Sequence, residues 1–243
     1  SAALYAVYPL HHHYSQEGRP YALFVFLTVL SYLTFCKVLA GRGSGSWILY
    51  GATSALLLYS QYFGMFVLAS QVVISLAMLS HRARHSLPWC RKVDFRFLAI
   101  QAATLGAAVV LFLPWIFYGI RTVQGYAPMP VHFGFKLFLS FVQEVGDGSH
   151  PLAWLLILLA VWGARKLARE KQYGLLWLLL IWLLMPIPLI CLLLWIKDYF
   201  FAIRHFLFIT PALYALVVLG IAALSEKLAA RYPRQTVLRA TVA

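Results

Sequence analysis

Residues 175–195 form a run of 21 positions without a charged side chain, and residues 206–225 form another of 20. A helix needs about 20 predominantly apolar residues to cross about 30 Å of hydrocarbon. That layer holds no water to satisfy the backbone, and a helix satisfies its own within one segment. A β-barrel would instead need strands of about 10 residues with alternating polarity, and no such alternation is visible. The runs predict an all-α fold, a polytopic transmembrane helix bundle. Composition points the same way. The chain is 63% hydrophobic and 11% charged, against about 45–50% and about 25% for soluble domains. Its mean hydropathy is +0.80.

Residues 43–80 form a third run, 38 positions without Asp, Glu, Lys, Arg or His. As one helix it would be about 57 Å long, too long for a single crossing. It is expected to fold back once, at "YSQYFG", residues 59–64, where polar groups, aromatics and a glycine interrupt it. Aromatics favour the membrane–water interface. The expected spans are 21–40, 47–61, 63–80, 97–117, 151–164, 175–195 and 205–224, about seven complete spans in one membrane domain covering 1–243. The opening "AALYAVYPL" is too short to cross and reads as the end of a truncated N-terminal helix. The chain is therefore expected to be the C-terminal portion of a larger protein.

The net charge is +13. Its distribution argues against nucleic acid as the partner, since no binding motif accompanies it. With the spans above, Lys37, Arg42, five Lys/Arg in 81–96, four in 165–174 and four after residue 225 share one side, 15 of the 20 in all. Arg19, Arg121, Lys136, Lys197 and Arg204 lie on the other. Basic loops stay cytoplasmic, so the sparsely charged side faces outward. The three cysteines, Cys36, Cys90 and Cys191, have no paired spacing and suggest neither a disulfide framework nor a zinc motif. "GRGSGS", residues 41–46, lacks the lysine of a nucleotide loop and reads as a turn.

Three segments meet on the outward side. The first is "HHHYSQEGRPY", residues 11–21, with Tyr14, Glu17, Arg19 and Tyr21. Adjacent histidines diverge, whereas metal ligands usually come from spaced positions. Glu17 has three open readings: a metal ligand, a binder of substrate hydroxyls, or a partner for Arg19. The second segment is the outer loop 118–150, whose apolar positions in 135–142 fit an amphipathic helix lying in the interface. It either contributes to a site or caps the bundle. The third is "KDYFFAIRHF", residues 197–206. Arg204 offers a planar, bidentate fork suited to phosphate, and Lys197 adds a second cation. Both side chains are equally able to snorkel to lipid headgroups. Pro186 and Pro188 should kink the 175–195 helix, either to open a groove or as an ordinary bend.

These residues resemble a known group. "YPLHHHYSQEGRPYAL" is similar to the P-x-x-x-x-Y-S-Q-E-A-R-x-Y-x-L segment of bacterial GT-C class membrane glycosyltransferases, the group of the aminoarabinose transferase and the dolichyl-phosphate-mannose protein mannosyltransferases. It departs at Gly18, where alanine is usual. "YSQYFG" resembles the group's Y-T-H-Y-F-G hairpin, with Gln61 in place of histidine. "FLPWIFYGIRTVQG" resembles its L-P-W segment, and "RHFLFITPALYAL" its R-Y-x-L-x-x-x-P-x-x-Y segment.

The resemblance implies a glycosyltransferase of the bacterial inner membrane with an outward-facing site. It would transfer a sugar from a polyprenyl-phosphate-linked donor to a lipid, glycan or protein acceptor. The group's catalytic Asp lies in a loop upstream of the first motif, so the general base is expected before residue 1. Glu17 matches a second acidic position that supports acceptor or metal binding, which leaves a divalent metal open as cofactor. Arg204 matches the position near the donor phosphate, with Lys197 as a second cation. Arg19, Tyr14 and Tyr21 would shape the pocket. The competing classes are a transporter or flippase of a lipid-linked sugar, marked by internal repeats and ionisable groups near the midplane, and a non-catalytic membrane scaffold.

Overall fold

The computed structural model describes residues 21–79, 93–122, 143, 149–196 and 203–231. Within these the chain is helical, with no strand. The helices are α1 (Tyr21–Leu39), α2 (Ser44–Ser60), α3 (Gly64–Ala77), α4 (Phe95–Thr122), α5 (His150–Arg169), α6 (Tyr173–Leu184), α7 (Pro186–Ile196) and α8 (Thr210–Arg231). A 3-10 helix, η1 (Ile203–Ile209), leads into α8. Five stretches are long and apolar enough to cross a membrane: Tyr21–Leu39, Phe95–Tyr118, His150–Arg169, Tyr173–Ile190 and Phe206–Ala230. The chain is an all-α bundle with the character of an integral membrane protein.

The expected count of about seven full spans is corrected in the 43–80 run. It does fold back at the expected place, but the turn over residues 61–63 leaves helices of only 17 and 14 residues. Each falls short of the roughly 20 residues a full crossing takes. Extended Gln61 (φ −163°, ψ 129°) reverses the chain. Gly64 then lets the two helices touch, since a Cβ there would lie 3.0 Å from Leu57 Cγ and 3.1 Å from its carbonyl oxygen.

The 175–195 run is also divided, between α6 and α7 at Met185. Pro186 and Pro188 have no N–H, so the carbonyls of Trp182 and Leu184 lose their helical donors. Met185 itself keeps helical dihedrals (φ −63°, ψ −37°), so the chain continues in the same sense. At the far end of α1 the turn is ordered by hydrogen bonds. Gly41 has φ 69°, and the amides of Gly41 and Arg42 donate to the carbonyls of Val38 and Lys37. This is a Schellman stop, which needs a left-handed residue and so favours glycine.

The core runs through α1, α3, α6 and α8, with α2 and α4 on one flank and α5 on the other. The most extensive pairing is α5 with α8. It is built on two glycines. A Cβ on Gly163 would lie 2.0 Å from the carbonyl oxygen of Leu216, and one on Gly220 would lie 2.0 Å from that of Leu159. Each glycine thus turns a Cα hydrogen toward a carbonyl of the facing helix, the close backbone approach that small residues permit between membrane helices. The residue pairs rise together along both helices, from Gly163–Gly220 to Lys166–Glu226, so α5 and α8 run parallel. That direction agrees with the alternation of spans expected from sequence.

Candidate functional site at the Tyr21 end of the bundle

Tyr21 opens α1 and is buried, 6% exposed. Tyr14, Glu17, Arg19 and Lys197 lie outside the described residues, as does the amphipathic stretch 135–142. Arg204 lies on η1, whose backbone is described at that position. Of the expected constellation, the described residues therefore bring together two parts: the start of α1, directly after the "YSQEGRP" motif, and η1.

That junction is well packed. The rings of Phe24 and Phe208 meet edge to face at 5.4 Å between centroids. Phe206, Leu207, Phe208 and Ile209 are all buried. The indole N–H of Trp182 donates to the carbonyl of Phe208 (3.0 Å), and the same indole stacks on Tyr32 of α1 at 3.6 Å. Trp182 thus ties η1 to α1 from a third helix. Nothing in the local sequence marked Trp182 for this role, because the contact joins positions 26 residues apart.

Side-chain pairs set the relative heights of the helices at this end. The hydroxyls of Thr34 and Thr53 meet at 3.0 Å and level α1 with the antiparallel α2. Counting from that pair, Ser60 stands level with about residue 27, so Tyr21 rises about 9 Å above the end of α2 at about 1.5 Å per residue. The Tyr59 hydroxyl donates to the carbonyl of Leu111 (2.6 Å) and levels α2 with α4. From there α4 continues to Thr122, about 16 Å further. The tip of the α2–α3 hairpin is therefore recessed below the ends of α1 and α4. It carries Tyr62 and Phe63, whose rings lie 4.5 Å apart. Above that level α4 carries the stacked pair Trp115–Tyr118, at 5.6 Å.

Below that level lies a second polar feature, one that no charged residue marks in the sequence. The Tyr50 hydroxyl donates to Gln71 Oε1 (2.8 Å), and Gln71 Nε2 donates to Ser31 Oγ (2.9 Å). Ser70 Oγ donates to the carbonyl of Val67 (2.6 Å), which makes Tyr32 the donor in the 2.6 Å Tyr32–Ser70 contact. The network joins α1, α2 and α3, and all its side chains are buried. Its signal was the recurrence of Ser, Thr, Gln and Tyr inside runs chosen for lacking charge. Among the described residues, the buried interior holds hydroxyls and amides but no charged side chain. Among the same residues no group of three or more His, Cys, Asp and Glu assembles as a metal site.

No protein-family model, curated protein or solved structure matches the chain.

Proposed function

We propose that the chain is a polytopic glycosyltransferase of the GT-C kind, using a polyprenyl-phosphate-linked sugar. One juxtaposition supports the reading: η1, the helix of Arg204, packs through Phe208 on Phe24 of α1, three residues beyond the end of the motif that carries Glu17 and Arg19. Among the described residues, the lower tip of the α2–α3 hairpin beside that junction would suit a donor whose sugar phosphate sits at the interface and whose chain lies in lipid.

In the proposed reaction a carboxylate takes the proton of the acceptor hydroxyl. The acceptor oxygen bonds to the anomeric carbon as the bond from that carbon to the phosphate oxygen breaks. Polyprenyl phosphate leaves with the electron pair, and the guanidinium of Arg204 with the ammonium of Lys197 offsets its charge. Glu17 supports the acceptor or a metal, and Arg19, Tyr14 and Tyr21 shape the pocket. The acceptor is a lipid, glycan or protein at the outward face of the bacterial inner membrane. Among the described residues the buried interior holds no charged side chain, which favours this reading over a transporter, whose ionisable groups lie near the midplane.

The test is a transfer assay on the full-length protein in proteoliposomes, with a labelled polyprenyl-phosphate sugar. Glu17→Gln and Arg204→Ala should each lower transfer about tenfold, the worth of one hydrogen bond to a charged group, at an unchanged melting temperature. Wild-type turnover in both variants would sink the site. Donor crossing the bilayer without transfer would favour a flippase, and neither activity would favour a scaffold. Orientation has its own check. In a background lacking the native cysteines, Arg19→Cys should be labelled by an impermeant thiol reagent added outside, and Arg91→Cys should not.

A further inference from the structure

At the end of the bundle opposite Tyr21, α5 carries a stripe of residues spaced three and four apart: Leu155, Leu158, Trp162, Arg165 and Arg169. Such spacing puts all five on one helix face. Leu155 and Leu158 are 52% and 63% exposed, so the stripe is open along its apolar part. From Leu155 to Arg165 it spans about 15 Å, half of the roughly 30 Å hydrocarbon layer. The apolar part is thus as long as one leaflet, and the cations begin where that leaflet ends.

The neighbouring helix completes the polar end. Lys227 of α8 holds its Nζ 5.2 Å from the centre of the Trp162 ring. Acidic groups nearby are already engaged. Lys166 binds Glu226 and lies 3.7 Å from Glu170, whose second oxygen accepts from Gln172 Nε2 (3.1 Å). Arg165, Arg169 and Lys227 are exposed, and among the described residues none of them forms an ion pair. The Gly163–Gly220 crossing, one residue from Trp162, fixes the distance between the two helices that carry these cations.

We propose that this face binds an anionic phospholipid. The headgroup phosphate lies between Arg165, Arg169 and Lys227, Trp162 sits at the level of the glycerol, and an acyl chain runs along Leu158 and Leu155. A cation fork matches a phosphate geometrically, tryptophan favours the interfacial level, and the apolar stripe supplies contact over one chain length. The inference is independent of the reaction proposed above.

The test is native mass spectrometry of the full-length protein released from micelles holding equal dioleoyl phosphatidylglycerol and dioleoyl phosphatidylcholine. The wild type should retain phosphatidylglycerol in preference to phosphatidylcholine. Arg165→Gln/Arg169→Gln should weaken that retention about fivefold for each cation removed. Lys37→Gln/Arg42→Gln removes the same charge from the same end at another place and should retain the lipid as the wild type does. Lys227→Gln is an independent single change, expected to weaken retention about fivefold should the double variant fail to fold. Equal retention of the two lipids by the wild type would overturn the proposal. So would equal losses in the two double variants, which would mean diffuse charge attraction without a site.

Discussion

Gly163→Val is expected to destabilise the protein by about 3 kcal/mol, the upper end of the range for forcing extra atoms into a packed interface. In thermal unfolding in detergent this corresponds to a fall of about 6–12 °C. The obstacle is backbone, so no side chain can swing aside to relieve it: a Cβ at Gly163 meets the Leu216 carbonyl oxygen at 2.0 Å and the Gly220 nitrogen at 2.9 Å. The helices must part, and the contacts along the rest of α5 and α8 weaken with them. Gly220→Val should act alike, because its Cβ meets the Leu159 carbonyl at 2.0 Å. The double variant should cost less than the two single effects added, since both push the same pair of helices apart. Gly106 is the control. Nothing lies within 4 Å of a Cβ there, so Gly106→Ala should be neutral or slightly stabilising through helix propensity. A Gly163→Val protein melting with the wild type would mean that α5 and α8 do not cross at these glycines.

Gln71→Leu is expected to cost about 2 kcal/mol, read from the same thermal unfolding. Its amide both accepts from Tyr50 and donates to Ser31. Leucine leaves two buried hydroxyls without these partners, at about 1–3 kcal/mol each from soluble-protein experience. Hydrogen bonds between membrane helices average nearer 0.6 kcal/mol, which brings the expectation down to the stated value. The sharper measurement is the triple variant Ser31→Ala/Tyr50→Phe/Gln71→Leu. With all three groups removed neither hydroxyl is orphaned by the loss of the amide, and much of the lost stability should return. A triple variant less stable than Gln71→Leu would show that the hydroxyls have other partners, and that the amide is not the hub joining α1, α2 and α3.

The candidate site divides in the same way as the fold. The motif at residues 14–21 and the arginine at 204 stand out in the sequence because charged groups are rare in this chain. That η1 packs against the first turns of α1 was not legible, because it depends on Phe24, Phe208 and Trp182. These are three aromatics among many in a chain that is 16% aromatic. The recess at the Tyr21 end was hidden for a related reason. The turn after Ser60 could be read from "YSQYFG", but the short rise of α2 and α3 against α1 and α4 appears only once Thr34 meets Thr53 and Tyr59 meets Leu111.

Helices, their approximate places and the reversal near residue 61 followed from sequence because each is a local matter. In hydrocarbon a segment must satisfy its own backbone, so length and the absence of charge suffice to set it. Partner choice is not local. A membrane helix is apolar on the faces that meet lipid and on the faces that meet protein, so the periodicity that marks a buried face in a soluble protein carries little signal. Gly163 and Gly220 look like any other small residues in an apolar run. Only the tertiary structure, by bringing each against the other helix's backbone, decided that α5 and α8 are neighbours.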